Sequence, residues 1–262
     1  MDALTGQQTA RGTAVISISD VGKSYLHRTQ RREVIAVEHV SLDLADRELV
    51  CLLGPSGCGK STLLNLVAGF EPPTTGTILM DGRAISGPGP ERGVVFQEHG
   101  LFPWLTVREN VLFGPKARRQ AVPADAVEEL LGLVGLASFA SAFPHELSGG
   151  MRQRAALARV LINEPRILLM DEPFGALDAL TRVRMQQLLL DMMDTRPVAT
   201  LFITHDVEEA VLLGDRVMVM TPNPGRVVRE FVVDLPRPRT RETTNSPEFV
   251  KLRAEIMDIV MA

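Results

Sequence analysis

The residues best suited to chemistry by type and spacing form a segment that could bind phosphate. The segment consists of Gly54, Pro55, Ser56, Gly57, Cys58, Gly59, Lys60 and Ser61, and it fits the pattern G-x-x-x-x-G-K-[ST]. Glycine lets the backbone curve closely around a phosphate, because it has no Cβ to restrict φ. The N–H groups of such a loop, and of a helix that begins there, then point at the anion. We expect Lys60 to neutralise the β- and γ-phosphates and the Ser61 hydroxyl to ligate Mg²⁺.

Two other residues complete the expectation for this loop. Thr62 follows at the start of a predicted helix and is assigned to the same nucleotide. Cys58 lies inside the loop, so we expect its thiol to line the site, to be alkylated with inhibition, and to be protected by bound nucleotide. The alternative is a glycine-rich turn without chemistry. The strand pattern before the loop and the helix pattern after it favour the phosphate site.

A second candidate is the apolar segment 167–170, which ends in two acids, Asp171 and Glu172. A buried strand of a parallel sheet brings its carboxyl end to the ligand crevice. Asp171 would hold Mg²⁺ directly or through water, and Glu172 could face an attacking water. The alternative is that the acids only terminate a strand. Together with the phosphate loop they predict a nucleotide-binding core.

A third segment places bare glycines at a helix start, in the order Leu147, Ser148, Gly149 and Gly150. Each glycine costs a helix roughly 1 kcal/mol relative to alanine, which suggests that backbone N–H groups approach something closely. Ser148 is either a helix N-cap or part of a second anion site for a γ-phosphate. The residues alone leave both interpretations open.

The periodicity of apolar residues predicts the elements that position these segments. Strands are expected over 14–18, 34–44, 48–53, 77–80, 93–96, 166–170, 198–204, 216–221 and 227–233. Helices are expected over 61–68, 107–113, 124–134, 148–162, 179–195, 206–213 and 248–260. Strand–helix alternation at both ends, interrupted by a helical stretch, predicts a parallel α/β core with an inserted helical subdomain.

The bulk composition sets limits on the class of protein. With 262 residues, of which 45% are apolar, the chain can build one large domain or two small ones. The formal charge of −4 gives no support to nucleic-acid binding. Residues 1–12 are polar and lack the apolar core of a secretory signal, and no apolar run is long enough to span a membrane. The two cysteines, Cys51 and Cys58, predict neither disulfides nor a metal site, which is typical of a reducing cytosol.

Taken in order along the chain, the motifs resemble those of a known family. They are the phosphate loop, Gln97, the segment Leu147 to Gly150, the pair Asp171 and Glu172, the segment Ala176 to Asp178, and His205. This set is similar to the ATP-binding subunit of an ABC transporter over about residues 14–235. The resemblance implies an α/β P-loop NTPase core of the RecA-like type, an antiparallel β subdomain, and a helical subdomain inserted at about 98–160. Residues 236–262 would then be a linker and a C-terminal helix.

The resemblance also implies catalytic and metal-binding roles. Gln97 would approach Mg²⁺ and the attacking water, beside the metal ligands Ser61 and Asp171. Glu172 matches the family's general base. His205 matches the histidine that holds the γ-phosphate and the water in line.

Other implied roles concern a dimer with ATP held between its subunits. Ser148, Gly149 and Gly150 match the signature motif and would bind the ATP held by the partner subunit, while Asp178 would cross the interface. Tyr25 lies where the family stacks an aromatic ring on adenine; packing at a strand end is the alternative. Met151 departs from the family, in which many members have Gln at this place, so a polar contact from this residue is in doubt.

Longer strings narrow the resemblance to the nitrate, sulfonate and taurine importers, with details at 68–70 and 91–93 similar to the taurine subunits. The implied function is ATP hydrolysis that powers an importer of taurine or another aliphatic sulfonate. The implied partners are a second copy of the chain, integral-membrane permease subunits and, indirectly, a substrate-binding protein, with no nucleic acid. The implied location is peripheral, on the cytoplasmic face of the inner membrane. An apolar stretch around Trp104, over 101–105, is expected to bind the permease, with packing between subdomains as the alternative.

Three other functions stay open from the residues. A soluble ABC ATPase of translation or DNA repair usually has tandem cassettes, a coiled-coil insertion or zinc-binding cysteines, and the sequence has none of these features. An importer of nitrate-like anions shares most of the longer strings. A small-molecule P-loop kinase would need an acceptor site in place of residues 147–150.

Overall fold

The computed structural model describes residues 14–27 and 32–261, so the polar leader predicted over 1–12 lies outside the described residues. Within the described residues there are ten strands: β1 (Ala14–His27), β2 (Arg32–Ala45), β3 (Leu49–Leu53), β4 (Thr75–Met80), β5 (Arg83–Ala84), β6 (Arg92–Val95), β7 (Ile167–Asp171), β8 (Ala199–Thr204), β9 (Arg216–Thr221) and β10 (Arg226–Val232). The same residues form seven α-helices: α1 (Lys60–Ala68), α2 (Val107–Ala117), α3 (Ala124–Leu133), α4 (Gly149–Leu161), α5 (Ala179–Thr195), α6 (Val207–Leu213) and α7 (Pro247–Val260).

The larger sheet has six strands in the order β10-β9-β3-β8-β7-β6. Strands β9, β3, β8, β7 and β6 are parallel, and β10 pairs antiparallel with β9 at one edge. Strand β3 lies inside this sheet and is buried at every residue, as expected for a parallel strand covered on both faces. The segments that follow β3, β7 and β8 therefore leave the sheet at one edge as neighbours.

Alternate residues of the central strands face two different apolar cores. Val50 and Leu52 of β3 pack with α1 and with the smaller sheet. Leu49, Cys51 and Leu53 of the same strand pack with α5, α6 and α7. This two-sided burial fixes the strand register, because a shift by one residue would exchange the two faces.

The smaller sheet is antiparallel, with strand order β2-β1-β4-β5. It covers one face of the larger sheet and is joined to it by a parallel bridge between Val37 and Gly225. The bridge has two backbone hydrogen bonds, from Glu38 N to Gly225 O at 2.9 Å and from Gly225 N to Ala36 O at 3.0 Å. The start of β2 is thereby held close to the turn between β9 and β10.

Helices α2, α3 and α4 pack around an apolar cluster of their own, which includes Val111, Val127, Leu131 and Ala155. The α/β fold class, with an antiparallel sheet and a helical insertion, is confirmed. The exact subdomain limits of 98 and 160 stay a prediction. Among the described residues, no helix combines the length and apolar character that crossing a bilayer requires.

The segment 236–247, predicted as a linker from its prolines and charges, is attached to the core through one buried residue. Arg239 is only 2% exposed and donates to the carbonyl oxygens of Gly214 at 2.6 Å and Val233 at 3.1 Å. The segment then forms a short 3-10 helix, Arg241–Asn245, before α7. Phe249 and Ile256 of α7 are fully buried in the core beside α5 and α6. The segment therefore connects β10 to α7 and its assignment as a linker stays a prediction, while Arg239 shows that a guanidinium with backbone acceptors can be buried although its charge suggests exposure.

Candidate functional site

The phosphate loop lies between β3 and α1, at the carboxyl edge of the larger sheet. Gly57 and Gly59 have φ angles of +80° and +95°, a region that other residues rarely adopt. Gly59 is the N-cap of α1 and supplies no side-chain acceptor to the first turn. The N–H groups at this helix start are therefore left for an anion. Within the loop, Pro55, Ser56 and Gly57 are exposed.

The back of the loop is tightly packed. A Cβ on Gly54 would lie 2.5 Å from Met220 O, and one on Gly59 would lie 2.7 Å from Ala36 O. A Cβ on Gly225 would lie 2.1 Å from Cys58 O. Side chains at these positions would push the loop off its support, so the glycines fix where it can lie. By contrast, nothing lies within 4 Å of an ideal Cβ on Gly57, on the open side.

Lys60 is buried beneath the loop, with 4% of the residue exposed. Its ammonium donates to the carbonyl oxygens of Gly54 at 2.7 Å and Pro55 at 3.0 Å, and it lies 3.7 Å from a carboxylate oxygen of Glu172. These partners satisfy a buried charge. They also keep the cation inside the curve of the loop, where phosphate charge is expected.

The Cys58 thiol lies under the loop, 3.9 Å from Lys60 Nζ, and is not open to solvent as the expected alkylation requires. The residue is fully buried, and its side chain belongs to the core shared by β2, β3 and α1. Its sulfur is 2.8 Å from the position that a Cβ on Gly54 would occupy, so it points under the loop. Burial raises the pKa of the thiol. Only the backbone of Cys58 remains a candidate for phosphate binding.

Ser61 and Asp171 are brought together from α1 and β7. The Ser61 hydroxyl donates to Asp171 Oδ1 at 3.0 Å. Burial raises the pKa of the Asp171 carboxyl, and the hydrogen bond from Ser61 opposes that rise. A hydroxyl and a carboxylate oxygen at this distance are hard donors, so the residues fit Mg²⁺, which takes oxygen ligands.

Glu172 follows Asp171 and turns out of the strand. Its φ angle is +43°, which is unusual for a residue with a side chain and is typical of functional sites. One carboxylate oxygen lies 3.7 Å from Lys60 Nζ, and the other lies 3.0 Å from His205 Nδ1. His205 follows β8 and has about half of its side chain exposed. The left-handed turn therefore directs the carboxylate to the phosphate loop and to the histidine at once.

Gln97 reaches the same place from the loop after β6. A Cβ built on Gly175 would lie 3.4 Å from the amide nitrogen of Gln97 and 3.8 Å from Glu172 Oε2. The Gln97 residue is exposed. The structure thus brings Gln97, Glu172, His205, Lys60 and the pair of Ser61 and Asp171 to one edge of the sheet.

Tyr25 lies at the rim of this edge, near the end of β1. Its phenol donates to Glu71 Oε1 at 2.9 Å, and the Lys23 ammonium lies 5.2 Å from its ring centroid. Burial raises the pKa of the phenol, Glu71 raises it further, and a hydrogen bond with Thr62 opposes the rise. The ring therefore stands beside the first turn of α1 and remains part-exposed. That placement fits a stacking platform for a base.

Helix α4 begins with the two glycines of the third segment. Ser148 is its N-cap and accepts from Met151 N at 3.3 Å, so the structural interpretation of Ser148 holds. A Cβ on Gly150 would lie 2.3 Å from Thr181 Cγ2, whereas one on Gly149 would lie 3.8 Å from Leu177. Gly150 is therefore needed for packing against α5, and Gly149 has ordinary space.

Within the described residues, a cavity of about 500 Å³ beside α4 is lined by Ser148, Gly150 and Thr181 and by no residue of the phosphate loop. Asp178 is the N-cap of α5, accepts from Thr181 N at 3.0 Å, and is exposed. Hydrogen bonding with the Thr181 side chain, and then with its backbone, lowers the pKa of the Asp178 carboxyl. Ser148 and Gly150 thus line a cavity that contains neither Lys60 nor Glu172, while Asp178 begins the neighbouring helix α5.

Sequence reasoning missed the residue that supports the phosphate loop from behind. Gly225 belongs to none of the candidate motifs, yet its backbone lies against Cys58 O and pairs with β2. The Pro-Gly turn that contains it could have indicated a close approach of two backbones. Glu71, which holds the Tyr25 phenol, gives no comparable signal in the sequence.

Comparison with known proteins gives three kinds of match. A profile of the ABC transporter family matches residues 37–175. The taurine import ATP-binding protein TauB of Rhizobium johnstonii is 53% identical over 238 residues, which cover 87% of this chain and 90% of that protein. The nitrate import ATP-binding protein NrtD of Synechocystis sp. is 45% identical over 253 residues, covering 94% of each chain.

The fold of a solved structure also matches. The dimeric, post-hydrolysis structure of the ATP-binding cassette MJ0796, with ADP and Pi, has a TM-score of 0.73 and 31% identity, and it covers 84% of this chain and all of that one.

Proposed function

Because the chain belongs to the ABC transporter family, as the ATP-hydrolysing subunit of an importer, we propose that it powers uptake of taurine or another aliphatic sulfonate. The observation that supports a hydrolytic site most directly is the placement of Glu172 between Lys60 and His205. The observation that favours taurine is the 53% identity to a taurine import subunit.

The residues around Glu172 suggest a division of labour during hydrolysis. The phosphate loop and Lys60 would bind the β- and γ-phosphates. Glu172 would accept a proton from the attacking water as the general base. His205, 3.0 Å from Glu172, would keep the carboxylate and the water in line with the γ-phosphate. Gln97 approaches the same carboxylate and is assigned to the water.

Mg²⁺ fits the site through Ser61 and Asp171, whose oxygens lie 3.0 Å apart. Such an ion, when bound, offsets the charge that develops on the phosphates. The task of the chain itself is to hold the hydroxyl and the carboxylate on neighbouring elements, α1 and β7. Asp171 would contact the ion directly or through water.

A dimer would complete the site. Ser148, Gly149 and Gly150 lie away from Lys60, yet their helix start is suited to a γ-phosphate. We assign them to ATP bound by a second copy, with Asp178 between the copies and Tyr25 on the adenine. A related cassette at 31% identity forms a dimer with ADP and Pi, which supports this arrangement. The subdomain limits at 14–235 and 98–160 are proposed on the same family basis.

The other partners follow from the importer class. Permease subunits would contact the stretch 101–105 around Trp104 together with Phe113. We name Phe102, Trp104 and Phe113 the aromatic patch, in which Trp104 and Phe113 are exposed and Phe102 is half-buried. A substrate-binding protein would deliver the cargo to the permease without touching this chain. The subunit would then lie at the cytoplasmic face of the membrane.

A nitrate-like cargo is the second candidate, because the nitrate import subunit matches 94% of the chain at 45% identity. Transport separates the two. The assembled importer, with its permease and substrate-binding protein, would be reconstituted in vesicles with ATP and offered labelled taurine, alkanesulfonates or nitrate. The proposal predicts uptake of taurine or an alkanesulfonate that depends on ATP and is lost with Glu172→Gln. Uptake of nitrate alone would overturn it.

A further inference from the structure

A buried polar cluster lies directly behind Glu172 and His205. Glu209 of α6 is only 5% exposed, and its carboxylate accepts from Gln186 Nε2 of α5 at 3.0 Å. Burial raises the pKa of Glu209, while interactions with the Thr204 hydroxyl, with Gln186 and with the charge of Arg182 oppose the rise. Burying a carboxylate costs free energy even when several donors surround it, so we expect Glu209 to have a structural or functional role.

Both chain neighbours of His205 are tied to Glu209. Thr204 precedes His205, and its buried hydroxyl interacts with the Glu209 carboxylate. The same hydroxyl accepts from Asp206 N at 3.0 Å, across the histidine. Asp206 follows His205, and its carboxylate accepts from Glu209 N at 3.2 Å. The turn that carries His205 is therefore held by the hydrogen bond from Asp206 N to the Thr204 hydroxyl and by the one from Glu209 N to the Asp206 carboxylate.

The cluster also touches the start of α5. Arg182 and Gln186 are four residues apart and share one face of that helix. Arg182 Nη2 donates to Leu177 O at 3.2 Å, next to Asp178, and its buried Nε has no hydrogen-bond partner. A small cavity of about 20 Å³ is bordered both by Glu172 and His205 and by Arg182 and Glu209.

We propose that Thr204 and Glu209 are positioning residues for His205, and that Arg182 and Gln186 link them to the Asp178 end of α5. This inference rests on the proposed function, since it needs His205 to take part in the hydrolysis of a bound nucleotide. A partner subunit would contact Asp178. These buried contacts would then connect the partner to His205, in addition to the connection through the nucleotide.

The test replaces the Thr204 hydroxyl with a methyl group in Thr204→Val. Thr204→Ser keeps the hydroxyl and serves as the matched control. We expect Thr204→Val to lower the single-turnover rate about tenfold, as an interaction made at the transition state would, with affinity for a fluorescent ATP analogue changed less than about twofold. Thr204→Ser should retain the wild-type rate, and both variants should keep the unfolding midpoint.

A second measurement asks whether Thr204 acts through His205. In a His205→Ala background, Thr204→Val should cause no further loss, because residues that act as one unit are not additive. An equal loss with and without His205, or equal rates for Val and Ser, would overturn the proposal.

Should Thr204→Val not fold, Glu209→Gln, which keeps the size and removes the charge, must show the same dependence on His205. If wild-type protein hydrolyses no ATP, the proposed function fails; if it does and Thr204→Val is normal, only this inference fails.

Discussion

At the scale of single residues, the proposed hydrolysis depends most on Glu172. Its left-handed backbone places one carboxylate between an ammonium and an imidazole. Glu172→Gln keeps the shape and removes the base. We expect hydrolysis to fall about 10²–10⁴-fold, equivalent to roughly 3–5 kcal/mol, because that is the usual contribution of a general base. Steady-state phosphate release measures the loss, and a fluorescent ATP analogue should still bind.

The same substitution gives a second readout and has a simple control. The bound nucleotide would persist, so the variant should accumulate as an ATP-bound dimer in size-exclusion chromatography. Glu242→Gln makes the same change at an exposed position of the C-terminal segment and should hydrolyse normally. A normal turnover rate in Glu172→Gln would refute the assignment of the base.

Cys58 shows what a linear motif does not reveal about a side chain. The sequence places the residue in the phosphate loop, but its thiol is buried in the core and its pKa is raised by that burial. Only thiolate reacts with maleimides. The folded protein should therefore react slowly with or without ATP, and quickly after unfolding in guanidinium, as followed by mass spectrometry.

The exposed Ser56 provides the matched control for this measurement. Ser56→Cys would place a thiol on the open side of the same loop, where alkylation should be fast and ATP should slow it. Rapid modification of Cys58 itself, blocked by ATP, would mean that the thiol does line the site after all.

At the scale of elements, the C-terminal segment is part of the core. Arg239 donates to the carbonyl oxygens of Leu212 and Gly214 at the end of α6, and to that of Val233. Arg239→Ala would leave buried acceptors without a donor, at a cost of roughly 2–4 kcal/mol of unfolding free energy. Urea denaturation measures this cost. Arg241→Ala, at an exposed site two residues on, should change stability little, and equal stability of both variants would contradict the packing role.

The loop before α2 is the element that presents the aromatic patch. Asn110 is buried and donates to the carbonyl oxygens of Phe102, Leu105 and Thr106, which fixes the loop. Trp104 is nevertheless 70% exposed, 5.6 Å from the Phe102 ring. An ordered but exposed aromatic residue of this kind is suited to a partner surface.

Trp104→Ala should weaken co-purification with the permease by about 2 kcal/mol or more, as truncation of an interface anchor does. Nucleotide binding should be unchanged. Phe139→Ala, at another exposed aromatic of the helical part, should have no effect on the permease. Loss of nucleotide binding in Trp104→Ala would show instead that this residue supports the fold.

The elements that the sequence predicts well are those decided by local pattern. Strand β7 and helix α5 match their apolar periodicity, and α5 begins and ends as expected at Ala179 and Thr195. Helix α2 runs on to Ala117, past the predicted end at 113, because Pro115 does not stop it. Contacts between distant parts are harder. The close approach at Gly150 comes from Thr181, and two of the carbonyl groups that Arg239 contacts, those of Leu212 and Gly214, lie 27 and 25 residues earlier in the chain, so a local pattern does not reveal these contacts.

At the scale of the whole molecule, the two sites that we propose for anions are lined by different residues. Lys60 and Glu172 lie at the edge of the larger sheet, whereas Ser148 begins α4 in a separate cavity beside α5. One chain does not bring them together within its described residues. A second copy would supply the signature motif to each nucleotide, and the buried link from Asp178 to His205 would lie beside that contact. We therefore expect hydrolysis to require a pair of chains.

The dependence of hydrolysis on protein concentration tests this requirement most directly. The rate per chain would be measured over a dilution series at saturating ATP, with the molar mass of the active species followed by light scattering. We predict that the rate per chain rises with concentration and follows the fraction of dimer. A full rate per chain at dilutions where only monomer is present would contradict the account.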